Sequence, residues 1–392
     1  KVSVLATTQC RSRVAATRIS VVMTKHRQQQ AAGDHSHQMQ AGGDIVVVQQ
    51  GMSATEVQAI IRSEIERIEG ELRATAAEVA LLRMQSFGDR LLQTLSERGQ
   101  LGAFADPDFQ FALGDANRAA ASNDDQDTEA LLVELLANRA EHGNAPRVRL
   151  VTKQALIAAD KLSKDSLNGL AAMWTLLHIG PKATVRDPEA RVVRVRENLR
   201  PFVEAGLPQG GLWRDDVDVL GLVRLEPESL RTLKPFAEVI EQKAPTVVHG
   251  GYARTAVEDI LRSMGDAQSA LSGIIFPHPL DAEKIIVACE SRAEADGAIT
   301  ETGLRVTRYP RVSALLDHYK FAVDPEARAA FTQSLSEDEI FGPFAAWWVA
   351  QRPLVFTSVG HTISFLHTRT LIDFAGAASV AELLELRDAG SR

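Results

Sequence analysis

Apolar residues return at Val57, Ile61, Ile65, Ile68, Leu72, Ala76 and Val79, and again at Phe87, Leu91 and Leu95. Steps of four, four and three hold one narrow apolar stripe on a helix, while Glu64, Glu66, Arg67, Glu69, Glu71 and Arg73 occupy the other faces. Ser53-Ala54-Thr55-Glu56 is a capping box, with Ser53 placed to accept the third helical N–H and Glu56 to reach back. The pattern predicts one helix of about 12 turns ending near Gly99, with Gly70 and Gly88 as its weak points. A stripe so narrow and long suits a coiled-coil seam or a helix laid along a bundle.

Shorter helical patterns follow. Asp106-Pro107 opens one, Asp as cap and Pro in the first turn, carrying Phe109, Phe111, Leu113 and Ala116. Leu131, Leu132, Leu135 and Leu136 mark the next, and two more fit Val148–Leu162 and Ser166–Ile179, with Ser163 as a cap between them. Residues 52–180 therefore read as a long helix within a helical bundle of about five helices. Gly180-Pro181 breaks the pattern, and the stretch to Pro188 reads as a domain seam. Residues 188–392 read as an α-rich C-terminal domain with a few short strands. Helices are expected there at Glu189–Ala205, Glu228–Lys243, Ala253–Met264, Ala282–Ala295, Val312–Phe321, Pro325–Leu335, Asp338–Gln351 and Val380–Arg387. Strands are expected at Gly221–Leu225, Thr246–Val248 and Leu354–Thr357.

Ahead of the long helix the period changes from helical to alternating. Gly33-Asp34 and Gly43-Asp44 bracket Ser36, Gln38 and Gln40, which alternate with His35, His37, Met39 and Ala41, and a β-branched run begins at Ile45. This predicts a short β leader over 33–51, two strands around Gly42-Gly43. Gln at period two can form ladders with neighbouring copies. A lone hairpin of this size is marginal in water, so the leader is expected to pack on other subunits.

Composition narrows the picture without naming a chemistry. Aromatics are sparse at 5%, which favours helix over sheet. No apolar run approaches the roughly 18 residues that span a bilayer, so no membrane partner is expected. A net charge of -8 argues against a surface that grips nucleic acid as a whole. Two cysteines, Cys10 and Cys289, make neither a disulfide framework nor a zinc site, and a cytoplasmic location is expected. Residues 1–32 lack Asp and Glu but carry Lys1, Arg11, Arg13, Arg18, Lys25 and Arg27. They are expected to be disordered, or a non-native extension ahead of Met23.

Candidate chemistry is thin. His35 and His37 are two ligands of an incomplete metal site, so no metal is assigned. His249-Gly250-Gly251-Tyr252 has the look of an oxyanion loop, but no Gly-x-Ser-x-Gly elbow supplies a nucleophile. Ser358 and His361 lack an orienting carboxylate. No Walker or Rossmann fingerprint is present, and no cofactor is expected. An enzyme would need a pocket that joins His249, His318 or His361 to a carboxylate. Trp347 and Trp348 fall on an expected core helix behind Phe341 and Phe344.

Gly-Asp-x-Ser, Ala-Gly-Gly-Asp-Ile and the helix start Gly-Met-Ser-x-x-Glu-Val together resemble a family of bacterial helical proteins without an established activity. Phe104–Leu113 and Leu354–Gly360 carry the same resemblance, which spans most of residues 33–370. Similar Gly-Asp leaders occur in multi-domain proteins of bacterial conflict systems, so the resemblance implies a link to defence. Phe356-Thr357-Ser358-Val359-Gly360 is also similar to the Leu-Thr-x-x-Gly turn before the last helix of winged-helix domains, with Phe where Leu is usual. Val219–Leu225 resembles the entry to a wing strand, about 130 residues upstream.

The expectation is a mainly α, non-enzymatic scaffold or sensor that self-associates. Its assembly residues are Asp34, Ser36, Gln38, Gln40, Asp44 and Ile45 in the leader, with Val57, Ile61, Ile65 and Ile68 along the seam. The alternative is a nucleic-acid-binding regulator with a winged-helix-like C-terminal element and Arg191, Arg194 and Arg196 on phosphates.

Overall fold

The computed structural model describes residues 54–142, 145–182, 184–226 and 232–372, with 380, 382 and 384; for 54–72 and for 266, 267 and 270 it describes the backbone alone. The leader residues and the N-terminal extension lie outside the described residues. The chain divides into two units, Lys1–Glu78 and Val79–Arg392. Fourteen α-helices and five short strands form the regular structure among the described residues, so the protein is mainly α.

Helix α1 spans Ala54–Glu97, 44 residues without interruption, so neither Gly70 nor Gly88 ends it. The next four helices are α2 Pro107–Ser122, α3 Gln126–His142, α4 Pro146–Ala159 and α5 Lys164–His178. Their starts follow local chemistry. Asp106 accepts from Asp108 N–H ahead of Pro107, and Ser163 accepts from Ser166 N–H. Then come α6 Pro188–Ala205, capped by Asp187, and α7 Leu212–Val219. Helix α7 is unanticipated: two turns with Trp213 and Val217 buried give too short a period to stand out.

Strand β1 Val223–Leu225 follows, then α8 Phe236–Lys243, β2 Tyr252–Ala253 and α9 Arg254–Arg262. The strand expected at Thr246–Val248 is instead a 3-10 turn, Pro245–Val248. Strands β3 Ile275–His278 and β4 Asp281–Val287 form a hairpin, with β2 on the other edge of β4. The helix expected over Ala282–Ala295 is therefore wrong. Ile285-Ile286-Val287 pairs across the hairpin, and Ser291 caps a later helix, α10 Arg292–Glu301. The chain closes with α11 Pro310–His318, α12 Pro325–Glu337, α13 Phe341–Val349, β5 Leu354–Phe356 and α14 Ser358–Leu371.

Within Val79–Arg392, α14 is the central helix. Gly360, Thr362, Ile363, Ser364, Phe365, Leu366, His367 and Thr368 are all buried, and the helix packs on α3, α4 and α5. One hydrophobic core runs from Phe87 to Leu384, so packing crosses the expected seam at 180–188. A smaller core gathers Leu271, Ile274, Val287, Ala295, Ile299 and Leu316 beneath the hairpin, α10 and α11.

Candidate functional site

The C-terminal half of α1 is anchored. Phe87, Leu91 and Leu95 recur every fourth residue and are fully buried. Arg90 pairs with Glu129 at 3.4 Å, and Arg98 pairs with Glu134 and, at 3.5 Å, with Glu141, all on α3. Further toward the N-terminus the burial stops. Residues 73–79 are exposed on every face of the helix, and Val79, Leu81 and Leu82 are 40, 52 and 59% exposed. Val57, Ile61, Ile65 and Ile68 lie on the same continuous helix, where the backbone alone is described. Asp34, Ser36, Gln38, Gln40, Asp44 and Ile45 lie outside the described residues.

The arginines proposed for phosphate contact are held by protein oxygens. Arg191 donates from Nε to Lys243 O at 2.8 Å and from Nη1 to Val185 O at 3.1 Å. Arg196 bonds Asp338 and Glu339, each at 2.8 Å, and reaches Glu197 at 3.3 Å. Arg200 beside it meets Glu197 at 2.9 Å and Glu339 at 3.4 Å. The hydrogen bond from Arg200 holds the Glu197 carboxyl below its ordinary range. Arg194 is exposed. Carboxylates thus interleave with the arginines, and these side chains do not form the contiguous basic face that phosphate binding needs.

The two winged-helix-like segments do meet. β1 pairs antiparallel with β5 in the register Val223↔Phe356, Arg224↔Val355, Leu225↔Leu354. Thr357 caps α14: its Oγ1 accepts from Gly360 N–H at 3.2 Å and donates toward Gly221 O at 2.8 Å. His361, further along the helix, accepts at Nδ1 from Trp174 Nε1 at 2.9 Å. His178 packs edge-on against it at 5.0 Å and stacks on Trp174 at 5.2 Å.

His249, His278 and His318 are held by other contacts. His249 is buried, with Nδ1 3.4 Å from the Tyr319 hydroxyl. His278 Nε2 lies 2.9 Å from the His249 carbonyl oxygen, and Leu280 N–H donates to His278 Nδ1 at 3.1 Å, so His278 bridges the two segments. Gly251 at φ +68° turns this loop, and a Cβ there would stand 2.9 Å from Ile285 O. His318 is exposed and bonds Ala314 O from Nδ1 at 2.7 Å. Among the described residues no carboxylate is hydrogen-bonded to His249 or His318. Trp347 and Trp348 are buried, donating to Pro208 O and Lys234 O at 3.0 and 2.9 Å.

One cavity combines apolar walls with a charge. It measures about 480 Å³ and lies where the ends of α5, α8 and α13 meet the β1–β5 pair, lined by Leu177, Val239, Trp348 and Leu354 with Glu226 and Lys243. Lys243, the last residue of α8, donates to Ile179 O at 2.6 Å. Among the described residues no carboxylate comes within ion-pair distance of its ammonium. Burial alone pushes Lys243 down to about 8. Sequence reading missed this residue because its signal is tertiary: it is an ordinary basic residue in the last turn of a short helix.

Among the described residues no group of three or more His, Cys, Asp and Glu is placed to hold a metal ion, and no helix is long and apolar enough to cross a membrane. A family model described only as ":-like" matches residues 51–375. No curated protein and no solved structure matches the chain.

Proposed function

For a chain that belongs to the ":-like" family over residues 51–375, we propose a non-enzymatic role as a self-associating scaffold or sensor. The observation that carries this reading is the exposure of α1 beyond its anchor. The helix is 44 residues long, about 66 Å at 1.5 Å per residue, and none of its described side chains from Arg73 to Ser86 is buried. An exposed helix is marginal in water unless it buries an apolar stripe. The stripe is there in the sequence, as Val57, Ile61, Ile65, then Ile68, Leu72, Ala76, then Val79. That spacing repeats every 11 residues, the period of a straight or slightly right-handed coiled coil.

The occupant of the stripe is a second copy of the same helix. Association there brings copies of the Val79–Arg392 unit together, with the leader residues Asp34 to Ile45 adding strand pairing between copies. A role in bacterial defence rests on the resemblance of that leader to those of conflict-system proteins. The test is substitution of Ile61, Ile65 and Ile68 by Asp, with solution mass and thermal unfolding read together. The mass should fall to that of one chain while the cooperative unfolding of the core persists. An unchanged mass would remove the helix from the assembly.

A further inference from the structure

We propose that the cavity beside Lys243 is a binding site for a small amphipathic monocarboxylate, its apolar body against Leu177, Val239, Trp348 and Leu354 and its carboxylate on the Lys243 ammonium. This inference stands whether or not the chain self-associates.

The volume of about 480 Å³ falls within the 300–1,000 Å³ typical of small-molecule pockets. Its walls come from three stretches far apart in the chain, at Leu177, around Val239 and around Trp348, so the fold holds them in place before any ligand arrives. An ammonium carries three donors, and the one bond made by Lys243 goes to the neutral carbonyl of Ile179. The charge itself is unbalanced by any carboxylate among the described residues. Lys243 is half-buried, and a cation withdrawn from water is ordinarily paired. Its lowered proton affinity, down to about 8 by burial alone, reports the same lack of a partner.

The other charged side chains in the lining narrow the ligand. Lys234 is paired with Glu238 at 3.4 Å. Glu226 also lines the cavity. Lys243 also ends α8, and Ile179 follows the end of α5, so the negative ends of two helices support the ammonium rather than a multiply charged phosphate. One cation among apolar walls suits one carboxylate on an apolar body.

The test is calorimetric titration of the full chain with straight-chain acids from hexanoate to dodecanoate, each against its primary amide. The amide keeps shape and apolar area but lacks the charge. At least one acid should bind with Kd below about 1 mM, and its amide should bind about tenfold or more weaker, as expected for loss of a charge-assisted bond. Lys243→Met should reduce acid binding by a similar factor and leave amide binding unchanged. Equal affinity for acid and amide, or no saturable binding of any acid, would overturn the proposal using the unaltered protein alone. Full acid binding by a folded Lys243→Met variant would overturn it as well.

Discussion

Gly360 has no room for a side chain: a Cβ would lie 1.9 Å from the Leu222 carbonyl oxygen, where α14 begins against the end of α7 and β1. Gly360→Ala must separate these elements, and a loss of at least about 2 kcal/mol is expected in urea or thermal unfolding. Gly88→Ala is the contrast, because beyond the neighbouring helix backbone no atom lies within 4 Å of its Cβ position in α1. There, a gain of about 0.5–1 kcal/mol is expected from helix propensity alone. Matching stabilities for the two variants would contradict this account of α14. His367 supplies the pH dependence. Burial pushes it down to about 4 from an ordinary 6.5, and its Nδ1 has no hydrogen-bond partner. The unfolded chain therefore takes up a proton first as the pH falls. The corresponding stability is fully present above pH 6.5 and is lost progressively down to about pH 4, up to about 3 kcal/mol. Buried His249 is displaced in the same direction, by desolvation first and then by His278. His367→Leu should flatten the stability curve over that window, whatever its effect at neutral pH. A curve as steep as that of the unaltered protein would show that His367 does not set it.

At the scale of elements, what the sequence made legible was local. Ser163 and the pair Asp106-Pro107 announce helix starts, and α5 and α2 begin there. The long helix was legible because its stripe is sustained, although the stripe alone did not say where anchoring ends. That depends on α3, which supplies Glu129, Glu134 and Glu141 to hold α1. Strand β4 was misread because Ala282, Glu283 and Lys284 favour helix and only its last three residues favour strand; pairing with β3 decided the matter. The cavity was not legible at all, since Lys243 reaches Ile179 across 64 positions of the chain. If α1 assembles as proposed, its anchoring is separable from that assembly. Leu91→Ala should destabilise the core by about 2–5 kcal/mol in urea unfolding without lowering the solution mass of the folded protein. A variant that stays fully stable but loses its assembly would reverse the roles assigned to the two halves.

For the Val79–Arg392 unit, the position of α14 matters most. A break in composition at Gly180-Pro181 looks like a seam, yet α14 arrives from 180 residues downstream to fill the space among α3, α4 and α5. Its Thr368 hydroxyl meets Thr175 of α5 at 3.0 Å inside that core. A fragment of residues 79–182 would expose the face that α14 covers, and it should bind a hydrophobic dye and unfold without cooperativity. Cooperative unfolding of that fragment would restore the seam as a domain boundary. At the other end of the chain, self-association is proposed along the apolar stripe of α1. It is tested most directly by the solution mass of three chains, the full sequence and two that begin at Gly51 and Val79, over a wide range of concentration. The account predicts a multiple of the chain mass for the first two and a monomer for the third. A monomer for the full sequence at every concentration would contradict it.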